Sequence, residues 1–524
     1  MNTLINCPAS KQWERIGSNK HLGINIPLFS LHSKESCGIG EFNDIIPLIS
    51  WCKELGFDVI QLLPLNDTGP EPSPYSALSA FALNPIHLSL ASLPHLGDFP
   101  VLKNTLVSMQ KLTDSQRCDY ARVRMSKKGF LRDYCKSVAP LILKTADFKN
   151  FKEVNPWLEG YALFKTLRIE HEWCSWETWE PELRDPSPTT YAELVEKHKE
   201  EIAGHMMIQY LCFKQLDEVK RLANAKGVFL MGDIPILINR DSADVWLHRH
   251  LFNLDFSAGA PPDMYAEDGQ TWGFPIYNWD ALAGEDYAWW KERLRAASIL
   301  YDIYRIDHIV GFFRIWAIPL GEHGKNGQHI PENPDLWIPQ GEKILRMMIE
   351  GSPMLAIGED LGNVPLEARA CMNRLGICGT KVMRWERMWD QDKRFINPQD
   401  YPKMSMTTVS THDSETLQQW WKAHPQEAQD YARYKNWNYA SDMTHQQLFD
   451  ILQSSNHTNS LFRINLLNEY LALIPGMTWP NIEDERINVP GVISDHNWTY
   501  RFRPSVEEIT TNEELKQAIQ GAVH

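Results

Sequence analysis

The 524-residue sequence predicts an α/β fold, a (β/α)8 TIM barrel with largely helical subdomains inserted in its βα loops. Three observations carry this reading. Eight short, mostly apolar runs recur along the chain, helix-spaced segments separate them, and four of the runs end in a carboxylate. Buried strands alternating with helices argue for a parallel sheet, and this number of strands favours closure into a barrel.

The first run is GINIPLF, Gly23 to Phe29. Beyond it, Asn43 or Asp44 is placed to cap a helix whose Ile45, Leu48, Ile49 and Cys52 repeat at helical spacing until Gly56 ends it. DVIQLLP follows as the second strand. The same grammar returns where Ile208, Leu211, Cys212, Val219 and Leu222 share a helix face, Gly227 stops the helix, and VFLM runs into Gly232 and Asp233. ILYDIYRID, PMLAIGED, GTKVMRW and MSMTTVSTHD continue the series, each expected to follow a helix, and LFRINLL, Leu461 to Leu467, completes it.

The spacing is uneven. About 160 residues separate the second and third strands, far more than one barrel helix needs. This segment, roughly 65–225, includes the Trp-rich HEWCSWETWEPELRDPSP and reads as a largely helical subdomain. A second excursion covers about 235–300. Both leave strand ends on the face that carries the charged residues, so both are placed to wall a cleft. No repeat, low-complexity tract or linker divides residues 1–524, which read as one catalytic barrel domain.

A formal charge of −15 argues against nucleic acid or an anionic membrane surface, because either needs a concentrated positive field. The nine cysteines are scattered and include no CxxC pair, as expected of reduced thiols in a cytoplasmic protein. Neither a basic start followed by an apolar leader nor an 18-residue apolar run occurs. The 20 Trp, 17 Tyr and 20 Phe are mostly core material, but those left over for a cleft suit the flat apolar faces of sugars.

In YRIDHIVGFFRIW, strand alternation turns Arg305 and Asp307 to one side, which in a barrel is the interior, at the strand end where catalytic groups sit. Asp233 in MGDIP, Glu359 in AIGEDLG and Asp413 in STHDSET end three further runs. A lone Asp at a strand end is more often a helix cap or a salt-bridge partner than a catalyst. Four on apolar strands, with an arginine to offset their repulsion, favour function. Paired carboxylates without metal-ligand spacing point to glycosidic chemistry. A metal site built from Asp307, His308, His412 and Asp413 is the rival, but no HExxH or DxDxDG pattern supports it. The two histidines of GEHGKNGQH read as a solvated loop, and no GxxxxGK[ST] phosphate cradle occurs.

CGIGEFND, QLLPLNDTG, SPYSALSAFALNP, MGDIPI, GAPPDMYAEDGQTWGFPIYNW, YRIDH, GEDLG, STHDSET and RINVPG together resemble, in order, the signatures of the 4-alpha-glucanotransferases of glycoside hydrolase family 77, known as amylomaltases or disproportionating enzymes. The resemblance runs from about residue 22 to about residue 500. It implies a retaining transfer of α-1,4-glucan segments on an α-amylase-clan barrel without a separate C-terminal β-domain. Asp307 would be the nucleophile, Glu359 the general acid and then base, and Asp413 the stabiliser of the oxocarbenium-like transition state. His412 would stand beside Asp413, and Arg305 would hold the nucleophile. Tyr75 and Asp233 would contact the donor sugar, while Trp272 and Asn488 would overhang the cleft. Retention predicts that the carboxyl groups of Asp307 and Glu359 lie about 5–5.5 Å apart.

Where many members read RIDHFRG, this chain has RIDHIVGFFRIW, similar to plant cytosolic enzymes acting on maltose and branched glucan, which carry N-terminal starch-binding modules. The expected substrates are malto-oligosaccharides, glucose and α-glucans. No organic cofactor or catalytic metal is implied. A hydrolase using the same triad and a glucan-binding protein on a dead barrel are the alternatives; the presence of all three acids disfavours the second, and product analysis separates the first.

Overall fold

In the computed structural model of the protein, every residue is described except 1–3, 5, 114, 263–266 and 390. Eight parallel strands form one sheet: β1 (His21–Ile26), β2 (Val59–Leu62), β3 (Phe229–Ile234), β4 (Ile303–Ile306), β5 (Leu355–Gly358), β6 (Gly379–Val382), β7 (Ser405–Thr408) and β8 (Phe462–Leu466). Neighbours in sequence are neighbours in space all the way round, and an isolated parallel bridge between Ile357 and Cys378 joins β5 to β6. All eight expected strands are present, nearly closed as a barrel. Their boundaries differ at β4, because Ile299 and Leu300 still belong to the preceding helix.

Five helices alternate with the strands from β1 to β6: α1 (Ile45–Glu54), α2 (Lys199–Ala225), α3 (Ala288–Leu300), α4 (Trp337–Glu350) and α5 (Leu366–Leu375). Helix α1 starts differently from expectation. The Asp44 side chain reaches back to accept the Glu41 N–H at 2.7 Å, forming a capping box around the 3₁₀ turn Phe42–Asp44 that leads into the helix. No α-helix precedes β7 among the described residues; the connection from β6 contains two 3₁₀ turns, Met383–Trp385 and Pro398–Asp400. Pro398 and Pro402 interrupt helical propagation there, and the expected helix does not form.

Between β2 and α2 the chain runs through helices Pro100–Met109, Tyr120–Ile142, Ala146–Val154, Trp157–Glu170 and Pro188–Lys197. The Trp-rich stretch His171–Pro188 is mostly irregular and contains a 3₁₀ turn and a four-residue helical turn. One buried ion pair fastens this segment to the β1–α1 connection, where Lys127 meets Glu41 at 2.5 Å, and a second holds it together internally, where Lys165 meets Asp67 at 2.6 Å. The second excursion is mixed, not helical throughout. Its strand Phe256–Ala260 pairs with Gln270–Thr271 and with Ile315–Pro319, which in turn pairs with Gln328–Ile330 from the loop after β4.

After β8 the described residues contain helices and turns but no strand. Among them no helix is long and apolar enough to cross a membrane. All nine cysteines are free thiols.

Candidate active site

Parallel register brings the charged residues to one level. Asp233 on β3 pairs with Arg305 on β4, and Arg305 pairs with Ile357 on β5, so their side chains point to the same side. Asp307 and Glu359 lie two residues further along β4 and β5, past the strand ends. Inward groups therefore converge at the C-terminal mouth of the barrel.

Arg305 is the hub. Its Nη1 donates to Asp233 Oδ1 at 3.0 Å, to Asp233 Oδ2 at 2.8 Å and to Asp307 Oδ1 at 2.8 Å, while Nη2 stands 4.0 Å from Glu359 Oε2. Burial opposes the guanidinium charge, but Asp233 and Asp307 more than offset it and hold Arg305 well above its ordinary value. One permanent cation therefore serves three carboxyl groups.

Glu359 lies on the same side with 13% of its side chain exposed. Its Oε2 accepts the His308 N–H at 2.8 Å and its Oε1 accepts the Leu361 N–H at 2.9 Å. Burial pushes the carboxyl up to about 7, with Asp307 adding to the effect while Arg305 and the two N–H donors oppose it. The site thus contains a carboxyl group that retains its proton near neutrality.

A second cluster adjoins the first through Tyr75. Its hydroxyl lies 2.9 Å from Asp233 Oδ2 and 2.9 Å from His412 Nε2, and its ring stacks on the His412 ring with centroids 5.5 Å apart. His412 Nε2 stands 3.3 Å from Asp413 Oδ2, and Asn488 Nδ2 donates to Asp413 Oδ1 at 2.6 Å. Burial pushes the Asp413 carboxyl up, but His412 and Asn488 outweigh it and hold it at about 2. These contacts link Asp413, His412, Tyr75, Asp233, Arg305, Asp307 and Glu359 in one chain of groups.

Trp272 meets the site from the second excursion, its ring edge-on to His308 with centroids 4.9 Å apart. Asp263 to Ala266, within the GAPPDMYAEDG part of the quoted motif, lie outside the described residues. Sequence reasoning missed Trp498, whose ring packs 5.6 Å from Tyr75 and 5.8 Å from His412, and Arg486, which donates to the carbonyls of Asp413 and Asn488 at 3.0 and 2.8 Å. Trp498 lies more than 70 residues from Tyr75 and His412 in sequence, with no local pattern to flag it, whereas Arg486 opens the RINVPG motif two residues before Asn488.

The rival metal reading finds no support in the geometry: among the described residues no group of three or more His, Cys, Asp or Glu side chains is arranged to hold an ion. The solvated-loop reading of GEHGKNGQH needs correcting at His329. Its ring is half-buried between Trp316 and Trp337, with centroids 4.9 and 5.6 Å away.

A family profile described as 4-alpha-glucanotransferase matches residues 26–507. The chain is 44% identical over 515 residues to a 4-alpha-glucanotransferase of Chlamydia pneumoniae, covering 98% of this chain and 97% of that protein. To a 4-alpha-glucanotransferase of Oryza sativa subsp. japonica it is 26% identical, over 96% of this chain and 69% of that protein. Among solved structures, an amylomaltase from Streptococcus agalactiae in complex with acarbose superposes with a TM-score of 0.81 at 25% identity, covering 96% of this chain and 98% of that one.

Proposed function

The chain belongs to the 4-alpha-glucanotransferases of glycoside hydrolase family 77, and we propose that it transfers α-1,4-glucan segments by retaining double displacement with Asp307 as nucleophile and Glu359 as acid and base. One observation carries the assignment: Asp307 is gripped by Arg305 at 2.8 Å, whereas burial holds the neighbouring Glu359 protonated up to about 7. Two carboxyl groups in environments that differ in this way divide the roles of nucleophile and acid between them.

In the first step the Asp307 carboxylate attacks the anomeric carbon while Glu359 gives its proton to the glycosidic oxygen. The C1–O4 bond breaks, the leaving segment departs with a free 4-hydroxyl, and a glycosyl ester remains on Asp307. In the second step the Glu359 carboxylate takes the proton of an acceptor 4-hydroxyl, whose oxygen attacks C1 and frees Asp307. Two inversions give net retention, and no redox change or cofactor enters.

The remaining residues position the donor. Tyr75 and Asp233 meet the sugar at the cleaved link, and Asp413 with His412 binds ring hydroxyls and stabilises the developing oxocarbenium charge. Trp272 and Asn488 overhang the cleft and favour a sugar acceptor over water. Donors are malto-oligosaccharides or α-glucans, and acceptors are glucose or glucan chains.

Trapping tests the assignment. A 5-fluoro-α-maltosyl fluoride, whose second step is slowed, is expected to leave a glycosyl mass on the peptide containing Asp307. Labelling of a different carboxylate, or an inverted first product, would contradict it.

A further inference from the structure

The barrel closes at a thin seam. Strands β4 and β5 pair residue for residue over Ile303–Ile306 and Leu355–Gly358, and β6 and β7 do so over Gly379–Val382 and Ser405–Thr408. Between β5 and β6 stands the single bridge of Ile357 with Cys378, where the Gly358 N–H donates to the Cys378 carbonyl at 2.8 Å. Glu359 is the first residue past that seam.

A buried side chain replaces the missing ladder. Asp360, 4% exposed, accepts the Thr380 N–H on Oδ1 at 2.7 Å and the Arg369 Nε–H on Oδ2 at 2.9 Å, and its carbonyl accepts Arg369 Nη2–H at 2.9 Å. Thr380 Oγ1 donates back across the seam to the Gly358 carbonyl at 3.0 Å. Gly379 leaves room for this arrangement, since a Cβ there would lie 2.7 Å from Asp360 Oδ1. Asp360 therefore ties β5 to β6 and to α5 at once, through bonds to an ionised group that are stronger than neutral ones.

We propose that Asp360 is a positioning residue for the general acid, a role that rests on reading Glu359 as that acid. The Leu361 N–H that holds Glu359 Oε1 at 2.9 Å follows Asp360 directly, and the carboxyl's other support, the His308 N–H, comes from the turn after β4. With the Asp360 stitch in place, the two N–H groups approach the carboxyl from segments anchored just past β4 and β5. Without it, the β5 side of the pair is free to shift, and a displacement of about 1 Å in such a group costs about 100-fold in rate.

The leaving group provides the test. Maltotriose needs its glycosidic oxygen protonated, whereas α-maltosyl fluoride expels fluoride without help from an acid. Purified full-length Asp360→Asn is expected to lose about 100-fold in kcat on maltotriose with little change in KM, and to keep first-turnover fluoride release near the wild-type rate. Arg369→Met, altering a side chain 35% exposed, is expected to show the same pattern more weakly, and decides the question if Asp360→Asn does not fold. Equal losses on both donors, or no loss on maltotriose, would overturn the role of Asp360. Glu359→Gln is the control for the underlying reading: it should lose maltotriose turnover and retain the fluoride burst, and if it instead turns over maltotriose normally, Glu359 is not the acid.

Discussion

The backbone N–H of His308 donates to Glu359 Oε2 at 2.8 Å, and His308 makes this bond from the left-handed region at φ +48°. Such a backbone costs a non-glycine residue on the order of 1–3 kcal/mol and persists where its surroundings demand it. Here the demand is mutual, because the Ile309 N–H donates to the Glu359 carbonyl at 3.1 Å and the Glu359 N–H to the Ile306 carbonyl at 2.9 Å. Two hydrogen bonds thus join the turn after the proposed nucleophile to the proposed acid, and a third ties the acid to Ile306 at the end of β4.

This arrangement predicts the pH profile. Glu359, raised to about 7, must carry its proton to start the first step, so kcat/KM on maltotriose is expected to fall about tenfold per pH unit above that value. First-turnover fluoride release from α-maltosyl fluoride should lack this limb. Stability follows the same sign: the folded pKa lies above the ordinary 4.5, so the contribution is present below 4.5 and is lost as pH rises through about 7. Glu359→Gln should flatten that decline, as measured by denaturant midpoints across the range.

Trp272 is held by two contacts, its Nε1–H donating to Gln270 Oε1 at 3.1 Å and its ring edge resting on His308. Trp272→Ala opens this side of the cleft to water. Donor cleavage is expected to continue, with the hydrolysed share of product rising severalfold; counting new reducing ends against longer chains measures it. An unchanged share would remove Trp272 from the control of water.

The Lys127–Glu41 pair carries a stability prediction. Lys127 also donates to the carbonyls of Ile86 and Leu88 at 2.6 and 3.1 Å, so a single cation ties helix Tyr120–Ile142 to the barrel. Lys127→Met leaves Glu41 buried without its partner and is expected to cost about 3–5 kcal/mol in chemical denaturation, part of which Glu41→Gln in the same chain restores.

The barrel is legible because most of its strands lie in short, largely apolar runs, and four of those runs end in a carboxylate that packing alone does not require. The helix expected before β7 does not form, because Pro398 and Pro402 stand in that segment. Pairing of Phe256–Ala260 with Ile315–Pro319 joins segments some sixty residues apart and leaves no local trace. His329 differs from its glycine-rich neighbourhood, which reads as solvated, because antiparallel pairing sets it against Trp316 and the start of α4 brings Trp337 to its other side. Within the proposed site, the strand-end carboxylates and Arg305 stand out in the sequence, while the contacts that hold them show only in the fold. Trp498 reaches Tyr75 and His412 only in the folded chain, while Arg486 lies inside RINVPG and Arg369 meets Asp360 from the helix that follows β5.

The most direct test of the central claim is to incubate the purified protein with maltotriose alone and separate the products by size, with Asp307→Asn in parallel. The account predicts glucose together with a ladder of chains longer than the donor, and neither in the variant. Glucose and maltose without longer chains, or an unaltered ladder from Asp307→Asn, would contradict it.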